Sequence, residues 1–123
     1  MGLREFFTRR FPELRREPRI EFLGEQDGPS ERQLKELLVP ELRRHSAIKR
    51  AYLARLGFQP HAEPSVGLCL VSLAGEAPAL VASCAALFRG LFADGVPLDI
   101  VFLTREQEED LVRVCRAFYT NAA

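Results

Sequence analysis

Basic side chains are the residues of this sequence whose type and spacing most readily suggest ligand binding. Five of them occur close together: Arg43, Arg44, Lys49, Arg50 and Arg55. Cations that share one face could neutralise the phosphates of a nucleic acid. Whether they do depends on the stretch HSAIKRAYLARLGF, residues 45–58, whose apolar residues fit both a helix and a strand period. A continuing helix would spread the cations around its axis, so we favour a solvated charged face over a phosphate site.

Histidine and cysteine side chains are the next candidates, as metal ligands or nucleophiles. His45 and His61 are sixteen residues apart and lack cysteine or carboxylate ligands at the spacing of a zinc site. Cys69, Cys84 and Cys115 lie in apolar stretches, where burial raises the pKa of a thiol and lowers its reactivity. We therefore predict no metal site and a packing role for the three buried thiols.

A cluster of carboxylates late in the chain could supply acid–base chemistry or bind a cation. Its members are Glu106, Glu108, Glu109 and Asp110. Thr104 and Gln107 have the spacing of a capping box, which places the cluster at the start of a predicted helix, where the helix dipole stabilises negative charge. No phosphate-binding glycine loop, paired-cysteine motif or nucleophile elbow occurs in the sequence. We predict no catalytic residue and no cofactor.

The overall composition narrows the class of protein further. Seventeen basic and seventeen acidic residues cancel over 123 residues, which argues against a general polycationic nucleic-acid binder. A chain of this length can bury a core without metal or disulfide support. An odd number of cysteines indicates a reducing compartment, and no apolar run reaches the length of a membrane span. We expect a cytoplasmic protein that does not enter a membrane.

The elements that would position these residues begin with an N-terminal amphipathic arm, residues 1–18. Phe6, Phe7 and Phe11 form its apolar stripe. We favour docking of this arm on the domain over membrane binding, because about ten residues make a weak membrane anchor.

A single domain is predicted for residues 19–123, with alternating strands and helices. The predicted order begins with a strand at 19–23 and a helix that has a Ser30–Gln33 capping box and that Pro40 kinks or splits. The ambiguous stretch follows, and after it come a buried strand at 65–73 and a helix from about 77 to 93. The order ends with a strand up to Leu103 and a last helix bearing Leu111, Val114, Cys115 and Phe118.

Four motifs then add a family resemblance, which extends over roughly residues 19–121. They are AIKRAYLARL, PSVGLCLVSL, VPLDIVFL and AFYTN. In this order the chain resembles the C-terminal domain of the bacterial enhanced-serine-sensitivity protein (SseB) family, whose pattern is matched at Ala51-Tyr52-Leu53, at Pro97 with Asp99, and at Phe118-Tyr119. Ala117 stands where the family usually has proline, and we expect the short arm to take the place of the further domain that typically precedes this one. The resemblance implies that residues 45–58 are largely strand, but it implies no catalytic residue, cofactor or substrate.

With that stretch as a strand, the order of elements suits an α+β fold. We predict a two-layer sandwich in which helices cover one face of a mainly antiparallel sheet, and we guess a ferredoxin-like strand order. The uncovered face could receive the phenylalanines of the arm from the same chain or from a second copy. The second arrangement would be a homodimer.

The function expected from these observations is a non-catalytic protein-interaction or regulatory module with an unidentified protein partner. The residues expected to bind the partner are Phe6, Phe7, Phe11, Arg43, Arg44, Lys49, Arg50 and Arg55. Two alternatives stay open. One is nucleic-acid binding through the five basic residues, and the other is an enzyme whose site residues are too scattered along the chain to be recognised.

Overall fold

A computed structural model of the protein describes residues 19–59, 62–92, 96 and 98–121. The described elements are β1 (Arg19–Glu25), α1 (Pro29–Arg43), β2 (Ile48–Gln59), β3 (Ala62–Ser72), α2 (Pro78–Leu91), β4 (Leu98–Phe102), α3 (Arg105–Leu111) and β5 (Ala117–Thr120). The predicted arm with Phe6, Phe7 and Phe11 lies outside the described residues, so its docking stays a prediction. His61 lies outside them as well.

The stretch that fitted both periods forms the strand β2, as the family resemblance implied. Its side chains alternate between the two faces of the sheet. Ala51 and Leu53 join the core cluster on one face, and Tyr52 and Ala54 join the cluster on the other. A strand that is buried on both faces carries apolar residues at successive positions, so its periodicity resembles that of a buried helix.

Strand β2 is the centre of a five-stranded sheet. β3 pairs with one edge of β2, while β1 and β5 share the other edge, β1 opposite residues 54–59 and β5 opposite residues 50–52. All of these pairs are antiparallel, and only β3 and β4 are parallel. The α+β class and the mainly antiparallel sheet are therefore confirmed.

The strand order is β1-β2-β3-β4, which differs from the ferredoxin-like order that we guessed. A ferredoxin-like split βαβ unit requires another strand between its two parallel strands. Here β3 and β4, which α2 connects, pair directly with each other.

Helices α1 and α2 cover one face of the sheet. Leu34 and Leu38 of α1 and Leu80 of α2 are buried in a cluster with side chains of β2, β3 and β4. The opposite face carries a second cluster, to which Leu111 of α3 and Cys115 of the following turn contribute. Two helices thus lie on one face as predicted, and the seven-residue α3 packs on the other.

The start of α1 differs from its prediction. The helix begins at Pro29 with Gly28 as its N-cap, and no side chain caps it, so the expected Ser30–Gln33 capping box is not formed. Proline is favoured at the first helical position because the amide hydrogen it lacks would have no partner there. Glu31 is buried above this end of the helix and accepts a hydrogen bond from the side chain of Gln26 at 2.8 Å.

Proline within α1 does not split the helix. The helix runs through Pro40 to Arg43. Pro40 is exposed, so water can solvate the carbonyl that loses its amide partner. Of the two predicted effects of Pro40, the splitting into two shorter helices is therefore wrong.

The predicted last helix ends at Leu111, and β5 replaces its second half. Its start is as expected: Thr104 and Gln107 form a reciprocal capping box. Phe118, which we expected on this helix, lies instead in β5, where the chain pairs with β2. The apolar spacing suited a helix, but pairing with a strand far away in the sequence satisfies the backbone of residues 117–120.

Candidate functional site

The five basic residues singled out from the sequence do not form one surface. Arg43 is the last residue of α1 and Arg44 its C-cap, and both are exposed. Lys49 is partly buried near the start of β2. Arg50 is engaged by α3, and Arg55 lines a separate cavity further along the same strand.

Arg50 forms a hydrogen-bonded cluster with Glu108 and Tyr52 that joins β2 to α3. Its Nε lies 2.6 Å from Oε2 of Glu108, and a terminal guanidinium nitrogen lies 3.1 Å from Oε1, so the carboxylate is held by two bonds. The hydroxyl of Tyr52 donates to the same Oε2 at 2.6 Å. This arrangement fixes the carboxylate to a strand more than fifty residues earlier in the sequence.

The cluster shifts the pKa of all three groups in directions that favour the observed protonation states. The hydrogen bond from Arg50 holds the pKa of Glu108 below its ordinary value, and the same bond raises the pKa of Arg50. Burial, followed by the hydrogen bond to Glu108, raises the pKa of Tyr52 to about 12. The carboxylate stays ionised and the phenol stays protonated near neutral pH, as in a structural ion pair.

The three cysteines are buried in the core, as predicted. Burial raises the pKa of Cys69 and raises that of Cys115 to about 11, so both are protonated near neutral pH.

A second buried polar contact lies on the sheet, where Ser65 donates to Oδ2 of the fully buried Asp99 at 2.5 Å. This bond links β3 to β4.

Arg55 lines a small open cavity at the far end of the sheet. The cavity has a volume of about 320 Å³, and its lining residues are Gln26, Arg55, Pro64, Ser65, Val66 and Val96. Arg55 is exposed and has no carboxylate within ion-pair distance among the described residues.

A larger groove runs between α1 and β5, and Arg43 is among the residues that line it. Its volume is about 690 Å³, and its lining residues are Val39, Arg43, Phe118, Tyr119, Thr120 and Asn121. Two contacts connect β5 and the residue after it to their neighbours. The ammonium of Lys35 on α1 lies 5.9 Å from the ring centre of Phe118. The side chain of Asn121 donates to the carbonyl of Ser46 at 3.4 Å. We call this feature the α1–β5 groove.

The floor of the α1–β5 groove depends on an irregularity in β5. The register with β2 shifts between Ala51, which is opposite Tyr119, and Tyr52, which is opposite Ala117. Phe118 is the extra residue of this bulge, so it and Tyr119 both pack against the core cluster beneath α1. The two aromatic rings of the family motif therefore face the helix together.

The outer edge of β5 is not paired with any strand in the described part of the chain. Asn121 donates its backbone N–H to the carbonyl of Lys49 at 2.8 Å. Because backbone groups alternate in direction along an antiparallel strand, the N–H and C=O of Thr120 point away from β2. The groove is thus bordered by a strand edge that can accept further hydrogen bonds.

Of the four basic side chains near the α1–β5 groove, one forms an ion pair within the described residues. Lys35 forms an ion pair with Glu25 at 3.1 Å. For Arg43, Arg44 and Lys49, in contrast, no described carboxylate lies within ion-pair distance. Of these three, Arg43 lines the groove itself.

Sequence analysis identified Arg43 but missed the other residues of the groove. Val39 reads as an ordinary helix residue, and Thr120 and Asn121 follow the predicted helix without any motif of their own. The available signal was the Phe118-Tyr119 pair, which matched the family pattern. Its position at a strand edge could not be seen while those residues were assigned to a helix.

Metal-binding clusters and membrane-spanning helices are both absent from the described residues. Across residues 19–59, 62–92, 96 and 98–121, no group of three His, Cys, Asp or Glu side chains is arranged to hold a metal ion. In that same part of the chain, every helix is too short or too polar to cross a membrane.

The fold and the groove define a small α+β domain with an open sheet edge beside a helix. The family model described as the SseB protein C-terminal domain matches residues 23–121. The chain therefore belongs to this family, which confirms the resemblance noted in the sequence. Neither the comparison with curated proteins nor the comparison with solved structures gave a match.

Proposed function

We propose that this protein is a non-catalytic cytoplasmic interaction module that binds a partner protein at the α1–β5 groove. The observation that carries the proposal is the combination in one place of a concave surface, a strand edge that no described strand pairs with, and Arg43, which has no described carboxylate within ion-pair distance. Unpaired strand edges are recurring contact features of protein-binding domains. A regulatory role would follow from the identity of the partner.

The engagement of the ionisable groups supports a non-catalytic role. Groups with shifted pKa values mark catalytic sites when they converge on a pocket. Here Glu108 and Tyr52 are held by Arg50 in a contact between β2 and α3, and the lining of the α1–β5 groove includes none of the three. The free buried thiols support a reducing compartment such as the cytoplasm.

Site-specific photo-crosslinking in native lysate tests the proposal. A photoreactive amino acid at Thr120, on the exposed rim of the groove, is expected to capture a defined protein partner after nuclease treatment and at moderate salt. The matched control places the same group at Arg113, which is equally exposed but lies in the turn after α3. A partner captured equally at both positions, or at neither, would contradict a binding surface at the groove.

The alternative of nucleic-acid binding is addressed by salt and by substitution. Affinity for nucleic acid should fall steeply with salt, because counterions compete for the phosphates. The informative variant replaces Arg43, Arg44 and Lys49 with alanine and leaves Arg50 intact, since loss of Arg50 would break its ion pair with Glu108. Binding that disappears after nuclease treatment would favour nucleic acid over a protein partner.

A further inference from the structure

We infer that the α1–β5 groove binds an acidic segment of the partner in extended conformation, which adds a strand to the free edge of β5. This inference rests on the proposed function and specifies the partner's chemistry. It uses three properties of the groove: the direction of the backbone groups of β5, the charge of Arg43, and the distance between neighbouring side chains on α1.

The backbone of β5 is suited to pair with one more strand. The hydrogen bond from Asn121 to Lys49 turns the backbone groups of Thr120 towards the unpaired edge. A peptide on that edge would extend the sheet β5-β2-β3-β4, and main-chain hydrogen bonds would hold it without regard to its sequence.

The charge of the groove selects an acidic peptide. Arg43 lines the groove without a described carboxylate partner, while the carboxylate of Glu25 is already occupied by Lys35 at 3.1 Å. A glutamate or aspartate of the peptide would therefore meet a guanidinium that can hold a carboxylate with two hydrogen bonds. A basic peptide would be repelled by the same group.

The spacing along α1 predicts a short sequence pattern. Val39 and Arg43 are four residues apart on one side of α1, which corresponds to a rise of about 6 Å. Side chains on one face of a strand repeat every second residue, at about 6.6–6.8 Å. An apolar residue against Val39 and Phe118 would thus place an acidic residue two positions away against Arg43. We expect an apolar–any–acidic pattern, in either chain direction.

A peptide selection with the full-length protein tests this inference. Random twelve-residue peptides displayed on phage are selected on the wild-type protein, and enriched sequences are expected to be acidic and to contain the pattern. Synthetic copies should bind about tenfold more weakly to Arg43→Glu, a loss equivalent to about 1.4 kcal/mol. Arg44→Glu is the matched control, because it makes the same charge change one residue away and outside the groove lining; it should weaken binding less than about twofold.

The strand edge is tested separately from the charge. Thr120→Pro removes the outward N–H and should weaken binding by about tenfold, whereas Thr120→Val keeps the N–H and should bind like wild type. If Thr120→Pro does not fold, hydrogen exchange of the Thr120 amide in the wild-type protein gives the same information, since the peptide should protect that amide.

Each contrary result has a defined meaning. Enrichment of neutral or basic peptides, failure to enrich any peptide, or an unprotected Thr120 amide would overturn strand addition by an acidic segment. A protein that still cross-links at Thr120 under those conditions would leave the interaction function standing. If the groove binds no acidic peptide and Thr120 captures no protein, the interaction function itself is overturned.

Discussion

At the scale of single residues, the side chains near the ambiguous stretch have different roles although they share one charge. Arg50 is bound by Glu108 and Tyr52 and connects two elements. Arg43 has no described carboxylate partner and lines a groove. A basic side chain is available to bind a partner only when no carboxylate of the same chain already pairs with it. Whether such a carboxylate lies close depends on the tertiary structure.

Replacing Glu108 with glutamine should reduce stability by about 0.5–1.5 kcal/mol at neutral pH. The oxygen of glutamine can still accept the hydrogen bond of Tyr52, but its amide NH2 cannot accept from Arg50, so the change removes the charge together with one of the two hydrogen bonds from Arg50. The expected loss of stability is modest because the Arg50 side chain is 42% exposed and water screens the ion pair. The measurement is the free energy of unfolding in urea, and Glu109→Gln on the exposed side of α3 is the control.

The difference between wild type and Glu108→Gln should depend on pH. The pKa of Glu108 is lowered in the folded state, so its ionised form stabilises the fold above the ordinary glutamate pKa of about 4.3. This contribution is lost as the pH falls through the lower folded-state value. A stability difference that is the same at pH 3 and at pH 7 would show that the ion pair does not contribute.

At the scale of elements, β2 organises the sheet because it pairs with β1, β3 and β5 at once. Its contact with β3 includes a close approach at Gly67, where a Cβ would meet the side chain of Leu56. Leu56 is fully buried in the second core cluster and cannot move aside without disturbing its neighbours. Glycine at position 67 is therefore required by packing rather than by a turn.

Alanine substitutions at two glycines should change stability in opposite directions. Gly67→Ala should destabilise the protein by about 1–3 kcal/mol, because it overpacks the interior against Leu56. Gly90→Ala should stabilise it by about 0.5–1 kcal/mol, since Gly90 is exposed on α2 with no atom within 4 Å of the added methyl group. Thermal unfolding of both variants measures the effect. A neutral Gly67→Ala would mean that β2 and β3 adjust to each other more easily than their burial suggests.

At the scale of the whole molecule, the sheet has a core cluster on each face. Residues after Arg19 build both clusters as described, and the family match begins at residue 23. The domain over residues 19–123 and the arm over residues 1–18 stay predictions.

Deleting residues 1–18 tests both the domain boundary and the predicted homodimer. The shortened chain should still unfold cooperatively, with its Tm lowered by about 4–8 °C if a docked arm contributes about 1 kcal/mol. Sedimentation of both chains reports their oligomeric state. A dimer that becomes a monomer on deletion would indicate that the arm mediates assembly, whereas a shortened chain that does not fold would show that the boundary is wrong.

The sequence by itself determined features that depend on nearby residues. The capping box at Thr104 and Gln107, the helix that begins near Pro78 and the buried thiols could be predicted, because caps, helical periods and local hydrophobicity act within a few positions. Only the family resemblance predicted that residues 45–58 are largely strand, since a strand buried on both faces has no distinctive period.

The tertiary structure decided what depends on residues far apart in the chain. Pairing of Ala51 with Tyr119 turned the end of a predicted helix into β5, and the same pairing left Thr120 on an edge that no other described strand pairs with. The contact with Glu108 removed Arg50 from the set of available cations, and the side of α1 that faces β5 placed Arg43 in a groove. Each outcome depends on which groups meet after the sheet has formed. Local sequence does not encode that information, because hydrogen-bond partners and neutralising charges are supplied by segments more than fifty residues away.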